Sequence, residues 1–385
     1  MKRTLFFFGL SVLVLAPSAL FAQGESAVPF LLISPNSRAS SMGEAGAAIA
    51  DDASAIYWNP AGLAFQDGGQ ASITHSKWLP QFNQSDLFYD FFTASNHFDN
   101  LGGTVAASVT YLNLGEFIRT GSGSPDEIGR FKSFEYAITG GYGTKVSQSL
   151  ALGVNLRLIH SALSPIGTEQ EQGTGIATSV SFDLGILYRP TELEIPLIGL
   201  GLGERLSIGV NLSNLGPKLT YIDAAQADPL PTNLRLGFGY QILKSQYNNI
   251  IATVDFNRLL VRRYAEVADT VRDSNGDVVS TSFQAAHVDN LPKSLLTAWG
   301  DNGLSKVTTG GGIEYWYGDP GLIALRVGYF YESPSFGGRK FLTFGAGLRY
   351  DIYGFDFSYI SAPDVSPLAN TLRFSLLIRW GGKES

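Results

Sequence analysis

The chain has 385 residues, contains no cysteine, and carries a charge on only 16% of its residues. The absence of cysteine excludes a disulfide framework, and a chain of this length does not need one to fold. Soluble domains have roughly 25% charged residues, so the low fraction here is atypical of a soluble protein. The formal net charge of -7 argues against a nucleic-acid partner, because such a partner requires a basic surface.

Long apolar runs are also missing beyond the N-terminus, because no later stretch reaches the roughly 18 apolar residues of a transmembrane helix. At the N-terminus, Lys2 and Arg3 precede an apolar run from Leu5 to Leu15, and the small residue Ala22 follows. This layout predicts a secretory signal peptide over residues 1–22, with a signal anchor as the alternative. Any membrane span of the mature chain must then be a closed barrel, because only a helix or an edgeless sheet satisfies its backbone in hydrocarbon.

Much of the remaining chain alternates between apolar and polar residues. In RLSIGVNLSNLG, residues 205–216, every second residue from Leu206 to Leu212 is apolar, and the residues between them are small or polar. Residues 150–158 and 234–242 repeat the pattern. A period of two predicts strands with one apolar face, although a soluble sandwich would alternate in the same way.

The number and length of these segments favour a membrane barrel. About fourteen are found, and most have the nine to eleven residues that a tilted transmembrane strand needs. They lie near 70–78, 86–97, 103–113, 132–146, 149–160, 176–189, 205–214, 232–243, 249–258, 305–316, 322–331, 340–350, 352–361 and 370–380. The predicted fold is all-β, a transmembrane antiparallel barrel over residues 70–380 in the outer membrane of a Gram-negative bacterium, with lipid around it and a short tail at 381–385.

The lengths of the connections support an outer-membrane barrel and indicate which end faces the periplasm. Those after even-numbered strands are mostly tight, and those after odd-numbered strands are often long, namely 114–131, 161–175, 215–231 and 259–304. Short periplasmic turns and long outer loops are typical of outer-membrane barrels, although the apolar link 190–204 is long for a periplasmic turn. Aromatic residues at 315–317, Tyr350, Tyr353 and Trp380 lie at the predicted periplasmic end. They predict an interfacial girdle, with ordinary enrichment of aromatics in strands as the alternative.

The segment ADDASAIYWNPAGLAF, residues 50–65, precedes the first strand and has a helical pattern. Asp51 or Asp52 is expected to cap a helix that continues over residues 53–58. Asn59 is expected to cap a second turn that has Pro60 at its first position and Gly62 at its end. We interpret residues 23–69, including the step from Asn59 through Ala61 to Gly62, as a plug inside the barrel, with a helix across the barrel mouth as the alternative.

Charged residues recur on the polar faces of the strands, where they would line the lumen. The candidates are Arg235, Asp255, Arg326, Arg349, Asp356 and Arg373. Because buried charges need partners, a structural ion-pair network is favoured over a substrate track.

No catalytic, cofactor or metal site is predicted. The four histidines do not have metal-site spacing. The segment DSNGDVVS, residues 273–280, is similar to a calcium loop, but its glycine is misplaced, and a solvated outer loop is favoured. No nucleophile, base and orienting group can be combined, so an enzyme is the least favoured class.

The segment ISPNSRASSMGEAGAAIADDASAIYWNPAGLAF, residues 33–65, resembles the N-terminus of the PorV family of the type IX secretion system, which is related to the FadL transporters. Residues 111–117, 212–240, 311–333 and 339–376 follow the same family in order and spacing. The chain departs from it at Gly62 and Leu63, where members carry Lys-Tyr, and in the long loop 259–304. A sister group within the PorV/PorQ family therefore stays open.

The resemblance implies an outer-membrane carrier without chemistry of its own. Such a protein would bind secreted cargo by its conserved C-terminal domain. It would take the cargo from a SprA-type translocon and deliver it to an attachment complex with a PorU-type sortase. The alternative function is a FadL-like transporter of hydrophobic small molecules.

Overall fold

A computed structural model describes residues 26–82, 87–121, 123–165, 173–195, 200–223, 226–264, 267–272, 278–284, 287–300, 303–364 and 366–381. The predicted signal peptide, the first part of the calcium-like segment, at 273–277, and the tail from 382 onward lie outside the described residues. The boundaries of the signal peptide and the tail therefore stay predictions. No helix among the described residues is long and apolar enough to cross a bilayer.

Fourteen strands form one closed antiparallel barrel, as predicted. They are β1 (Gly69–Lys77), β2 (Phe88–Phe98), β3 (Gly103–Gly121), β4 (Ser124–Lys145), β5 (Leu150–Ser164), β6 (Gly175–Tyr188), β7 (Leu206–Leu215), β8 (Asn233–Lys244), β9 (Asn248–Leu259), β10 (Val307–Tyr317), β11 (Ile323–Tyr331), β12 (Lys340–Tyr350), β13 (Tyr353–Ser361) and β14 (Leu372–Trp380). Each strand pairs with the next, and β14 closes on β1 from Gly69↔Trp380 to Ser76↔Arg373. Closure leaves the sheet without an open edge strand.

The apolar face of the barrel points outward. In β5, Leu152, Val154 and Leu156 are 41%, 48% and 69% exposed, whereas Asn155 and Arg157 between and beside them are buried. A soluble sheet would bury the leucines, so this distribution confirms the predicted barrel, with a lipid-facing wall and a polar interior.

The barrel has two different ends. The turn end carries the connections 99–102, 146–149, 189–205, 245–247, 318–322 and 351–352. The loop end carries the longer connections, including 216–232 and 260–306. The apolar link within 189–205 forms a small hairpin that pairs Glu194–Ile195 with Leu200–Gly201.

Short helices lie before β1 and in connections at both ends of the barrel. They are α1 (Ser37–Ser40), α2 (Ala55–Trp58) and α3 (Leu291–Thr297), with 3-10 helices at Pro29–Leu32, Pro60–Phe65, Asp99–Leu101, Ala298–Gly300, Gly303–Lys306 and Pro334–Phe336. The long connection 260–306 also contains the strand pairs Arg263–Tyr264 with His287–Val288 and Val267–Arg272 with Val278–Gln284.

The prediction of an outer loop at 114–131 was wrong in most of its length. Strands β3 and β4 continue as a two-stranded ribbon to Gly121 and from Ser124. Gly115, with a positive φ of 85°, absorbs a register shift, and Phe117 then stacks on Phe131 with ring centroids 5.7 Å apart. Cross-strand stacking and backbone pairing therefore extend these strands beyond the barrel wall.

The aromatic girdle needs one correction. Tyr317, Tyr350 and Tyr353 are exposed at the turn end, at 51%, 75% and 59%. Trp316, in contrast, points into the lumen, where the Arg326 and Arg349 guanidinium groups lie 5.3 and 5.1 Å from its ring centroid. Strand alternation places Trp316 on the face opposite to its tyrosine neighbours, so adjacent aromatic residues cannot all face lipid.

The pairing of β6 with β7 is incomplete. β6 pairs with β5 along its whole length, but it pairs with β7 only between Phe182 and Tyr188 within the described residues. Asn214 adopts a left-handed φ of 60°, and after Leu215 the chain leaves the sheet and turns inward, close to the backbone of β6 at Val180. The following loop buries Leu219 and Leu230 in the hydrophobic core of the plug. The wall therefore has a notch at the loop end, beside the first half of β6.

Candidate functional site

The segment before β1, residues 26–68, lies inside the barrel, and we refer to it as the plug. Its backbone forms hydrogen bonds with polar side chains of several strands of the wall. The N–H groups of Gly46 and Ala47 donate to Asp255 at 2.8 and 2.9 Å, while Asn155 donates to the carbonyl of Ile56 at 2.7 Å and Ser207 donates to that of Ala48 at 2.6 Å. A non-helical backbone at membrane depth needs such partners, and the polar inner face supplies them.

Glycines in the wall allow the plug to approach the strands. A Cβ atom on Gly153 would lie 2.1 Å from the carbonyl carbon of Pro60, and one on Gly209 would lie 2.1 Å from the carbonyl oxygen of Ala47. Neither position could hold a larger residue without displacing backbone atoms of the plug. These two wall glycines are therefore contact points between the plug and the strands.

Asn59 holds the plug in two ways. Its Oδ1 atom accepts a hydrogen bond from the N–H of Ala61 at 3.1 Å, which caps the 3-10 helix that begins at Pro60. Its Nδ2 group donates to the carbonyls of Ala47 and Ile186 at 3.1 and 2.9 Å, and its side chain is fully buried. A single amide thus connects a turn of the plug to strand β6.

Gly62 does not end this helix, which continues to Phe65. A Cβ atom at Gly62 would lie 1.9 Å from the carbonyl oxygen of Ala50. Glycine is required here because two parts of the plug pack closely against each other. The expectation that Gly62 ends the helix was wrong, because the φ of Gly62 is not left-handed.

The two aspartates do not cap α2 as expected. The helix begins at Ala55, and its N-cap residue, Ser54, makes no side-chain cap bond. Asp52 accepts from the N–H of Ser54 at 2.8 Å and forms a turn before the helix, while Asp51 forms an ion pair with Arg38. An aspartate side chain that accepts a hydrogen bond from the N–H group two residues later is not available to cap a helix, which explains why Asp52 is not the N-cap residue.

A buried ion-pair network joins the plug to the wall near the turn end. Arg38 donates to both carboxylate oxygens of Glu314, at 2.8 and 2.9 Å. Glu314 also contacts Arg326 at 2.6 Å, Arg326 contacts Asp356 at 2.8 Å, and Asp356 contacts Arg349 at 2.7 Å. Three of the predicted lumen residues therefore meet in one network.

The key members Arg38 and Glu314 were not predicted. Arg38 is the only lysine or arginine in residues 23–68, and Glu314 is the only acidic residue of β10. A lone cation in a segment expected inside a closed lumen requires an acidic partner. That rule could have identified Arg38 from the sequence, but it does not select Glu314 among the acids of the plug and the wall.

The other predicted lumen residues lie elsewhere. Arg235 packs over the ring of Trp58, with its guanidinium carbon 4.4 Å from the centroid, and Asp255 binds the plug backbone. Arg373 is buried toward the loop end and does not join the network. A further buried pair that the sequence did not indicate connects Arg157 and Asp183 at 2.8 Å.

At the loop end, Asp289 organises the region around α3. It pairs with Lys293 at 2.7 Å and accepts hydrogen bonds from Thr297 at 2.7 Å and from Tyr264 at 3.2 Å. Burial by itself would raise the pKa of Asp289, but the hydrogen bonds from Lys293 and Thr297 outweigh it and lower the pKa. The ionised carboxylate therefore stabilises this fold above its ordinary pKa of about 3.9, and its contribution is lost as the pH falls through the lower folded-state pKa.

We accordingly expect amide protection of residues 289–297 to be constant from about pH 7 to pH 5 and to fall below about pH 4. The D289N variant should lose about tenfold protection even at neutral pH, because its amide cannot replace the charge-assisted bonds. Hydrogen exchange, corrected for the intrinsic rates, measures both effects. The matched control is D99N, because the Asp99 carboxylate is fully exposed. Equal protection of residues 289–297 in D289N and D99N would contradict the role of Asp289 in stabilising this region.

Three comparisons place the chain among known proteins. The family model described as Type IX secretion system protein PorV matches residues 23–265. The toluene transporter TbuX of Ralstonia pickettii is similar in structure, with a TM-score of 0.51, 14% identity, and coverage of 90% of this chain and 98% of that one. The P. putida toluene transporter TodX has a TM-score of 0.50, with the same identity and coverage.

No curated protein matches the chain. The two structural similarities concern the fold alone, because the identities are low, whereas the family model covers more than half of the sequence. The chain belongs to the PorV family of type IX secretion system proteins, and it is an outer-membrane β-barrel of a Gram-negative bacterium.

Proposed function

We propose that this type IX secretion component is a carrier that binds secreted cargo by its C-terminal domain. It receives the cargo from a SprA-type translocon and transfers it to an attachment complex with a PorU-type sortase. The observation that carries the proposal is the family match over residues 23–265, which includes the plug and the first nine of the fourteen barrel strands.

The filled lumen supports a carrier rather than a conduit. Beside Tyr57 and Tyr89, a cavity between plug and wall has a volume of only about 10 Å³. Such a space holds about one water molecule, so a folded protein cannot pass while the plug is in place. In this proposal the cargo binds at the loop end, and the barrel anchors the carrier in the membrane without chemistry of its own.

Deletion of the gene tests the proposal. We expect proteins with the type IX C-terminal domain to disappear from the medium and the cell surface and to accumulate in the periplasm. A plasmid copy should restore secretion, and an outer-membrane protein without that domain should assemble normally in the deletion strain. Unchanged release and surface attachment of the cargo would reject the carrier role.

Purification from detergent-solubilised outer membranes tests the partners separately. A giant translocon or a sortase-like protein should elute with the tagged chain, and the translocon should accumulate in complexes when the sortase is absent. Elution of the barrel without either partner, from cells that secrete actively, would contradict the handover.

A FadL-like transporter is the second candidate, because the fold is similar to that of two proteins described as toluene transporters. It predicts that the deletion lowers uptake of toluene or of a long-chain fatty acid and leaves secretion intact. The two functions are therefore separated by measuring uptake and secretion in the same strain.

A further inference from the structure

A cavity of about 460 Å³ lies at the loop end, outside the plug. Most of its lining is apolar and comes from the barrel wall, the inward-turning loop and α3, including Phe182, Pro217, Leu230, Leu260, Val261 and Leu291. Its volume is within the range of about 300–1,000 Å³ that is typical of small-molecule sites. An apolar space of this size is unfavourable when it is filled with water.

The cavity results from the notch between β6 and β7. After Leu215 the chain turns inward, and a Cβ atom on Gly216 would lie 2.3 Å from the carbonyl oxygen of Val180. The loop therefore crosses close to the backbone of β6 instead of extending the sheet. The first turn of α3 forms the opposite wall, with Leu291 and Ser294 toward the cavity.

The cavity is continuous with the lipid-facing surface. Phe182 lines it and also belongs to the outward row of β6, where Val180, Phe182 and Leu184 are 50%, 45% and 45% exposed. Because the loop end faces the outside of the cell, this row meets the outer leaflet of the membrane. The nearest apolar molecules are thus the alkyl chains of outer-leaflet lipids.

A cation lies at the cavity wall. Lys218 lines the cavity, and its ammonium group donates one hydrogen bond to the carbonyl of Val288 at 2.8 Å. An ammonium group has three donors, so it retains the capacity to bind an anionic group beside the cavity. Apolar walls next to one cation match an alkyl chain attached to an acidic head group.

We infer that this cavity binds one alkyl chain of an outer-leaflet lipid, with the anionic head group of that lipid beside Lys218. The inference is independent of the cargo-carrier proposal, because it concerns the membrane around the protein. A bound chain would fill the notch and hold the loop 216–232 against α3. It would thereby fix the surface that the loop end presents to the outside.

Photolabelling of the purified full chain tests the inference. The probe is a phosphatidylglycerol that carries a diazirine on one acyl chain, incorporated in nanodiscs. After illumination, mass spectrometry should find adducts on residues 216–218 and 290–294 in excess over the rest of the wall. If labelling occurs along the outward row of β6 but not in the cavity, the inference is overturned.

Two tryptophan variants of α3 are matched. L291W should fill the cavity and lower its labelling at least about tenfold, because several methylene groups lose their burial. L296W adds the same side chain to the same helix at a position that is 78% exposed and does not line the cavity, so its labelling should equal that of the wild type. Equal labelling of the cavity in L291W and L296W would overturn the inference.

The charge is tested by a milder change, in case L291W fails to fold. K218Q should lower labelling of the cavity by phosphatidylglycerol about threefold, as expected for a solvent-accessible ion pair, and leave labelling by the corresponding phosphatidylcholine unchanged. An equal loss with both probes would show a distorted cavity, and no loss with either would remove the head-group assignment. Both results would count against the inference.

Discussion

Replacement of Arg38 by methionine is expected to release the plug from the wall near the turn end. The change removes both hydrogen bonds to Glu314 and the ion pairs with Asp51 and Asp52, and Asp51 keeps only Arg189, at 3.9 Å. Removal of one partner from a buried ion pair costs about 3–5 kcal/mol, and we expect about 3 kcal/mol because Glu314 keeps Arg326. The loss should appear as faster hydrogen exchange in residues 36–58 and as ion conductance in planar bilayers.

The barrel itself should survive this change, because its strands remain paired around the closed sheet. The matched control is R130M in the ribbon of β3 and β4. Arg130 also contacts two glutamates, but these side chains are 41% and 43% exposed, so its loss should leave the protection of the plug and the conductance as in the wild type. A double-mutant cycle with E314Q isolates the pair, and a plug in R38M that is as protected as in the wild type would contradict its role as an anchor.

Replacement of Gly153 by valine should displace the plug from strand β5. The added Cβ would overlap the backbone of Pro60 and Ala61, which lies 2.1 to 2.4 Å from that position. Backbone atoms cannot move aside as a flexible side chain can, so the cost should reach or exceed the upper part of the roughly 1–3 kcal/mol that overpacking usually costs. Conductance should rise and Trp58, which is buried in the plug, should become accessible to aqueous quenchers.

G140V is the matched control for this experiment. Gly140 lies in the neighbouring strand β4 and faces lipid, and no atom lies within 4 Å of a Cβ placed there. Valine favours strands, so this variant should be as stable as the wild type or slightly more stable. If G140V and G153V raise the conductance equally, the loss of a glycine from a strand would be the cause, and not the contact between the plug and Gly153.

Features that depend on near neighbours in the chain were predictable. The alternation of apolar and polar residues identified all fourteen strands and the face that meets lipid, because a period of two follows from backbone geometry alone. The Asn59 cap with Pro60 at the first helical position was predictable for the same reason, since all of its atoms lie within a few residues.

Features that depend on pairing between strands were not predictable with the same success. The ribbon of β3 and β4 continues through a predicted loop because Phe117 meets Phe131 across the register. The notch beside β6 forms because β7 turns inward after Asn214, a change that no local composition signalled. The ribbon and the notch both depend on the register between two strands. The free energy of that register depends on both strands together, so the sequence of one strand does not predict it.

The sequence by itself determined that this chain is a lipid-facing barrel with a small-residue segment before its first strand, because strand period, strand length and strand number are local properties. Only the tertiary structure decided that Arg38 meets Glu314, 276 residues away, and that Trp316 faces inward among arginines. The reason is that a buried charge takes its partner from whatever the register brings within about 3 Å. In this protein, the register of fourteen strands determines both how the plug is held and where the wall opens toward the outer leaflet.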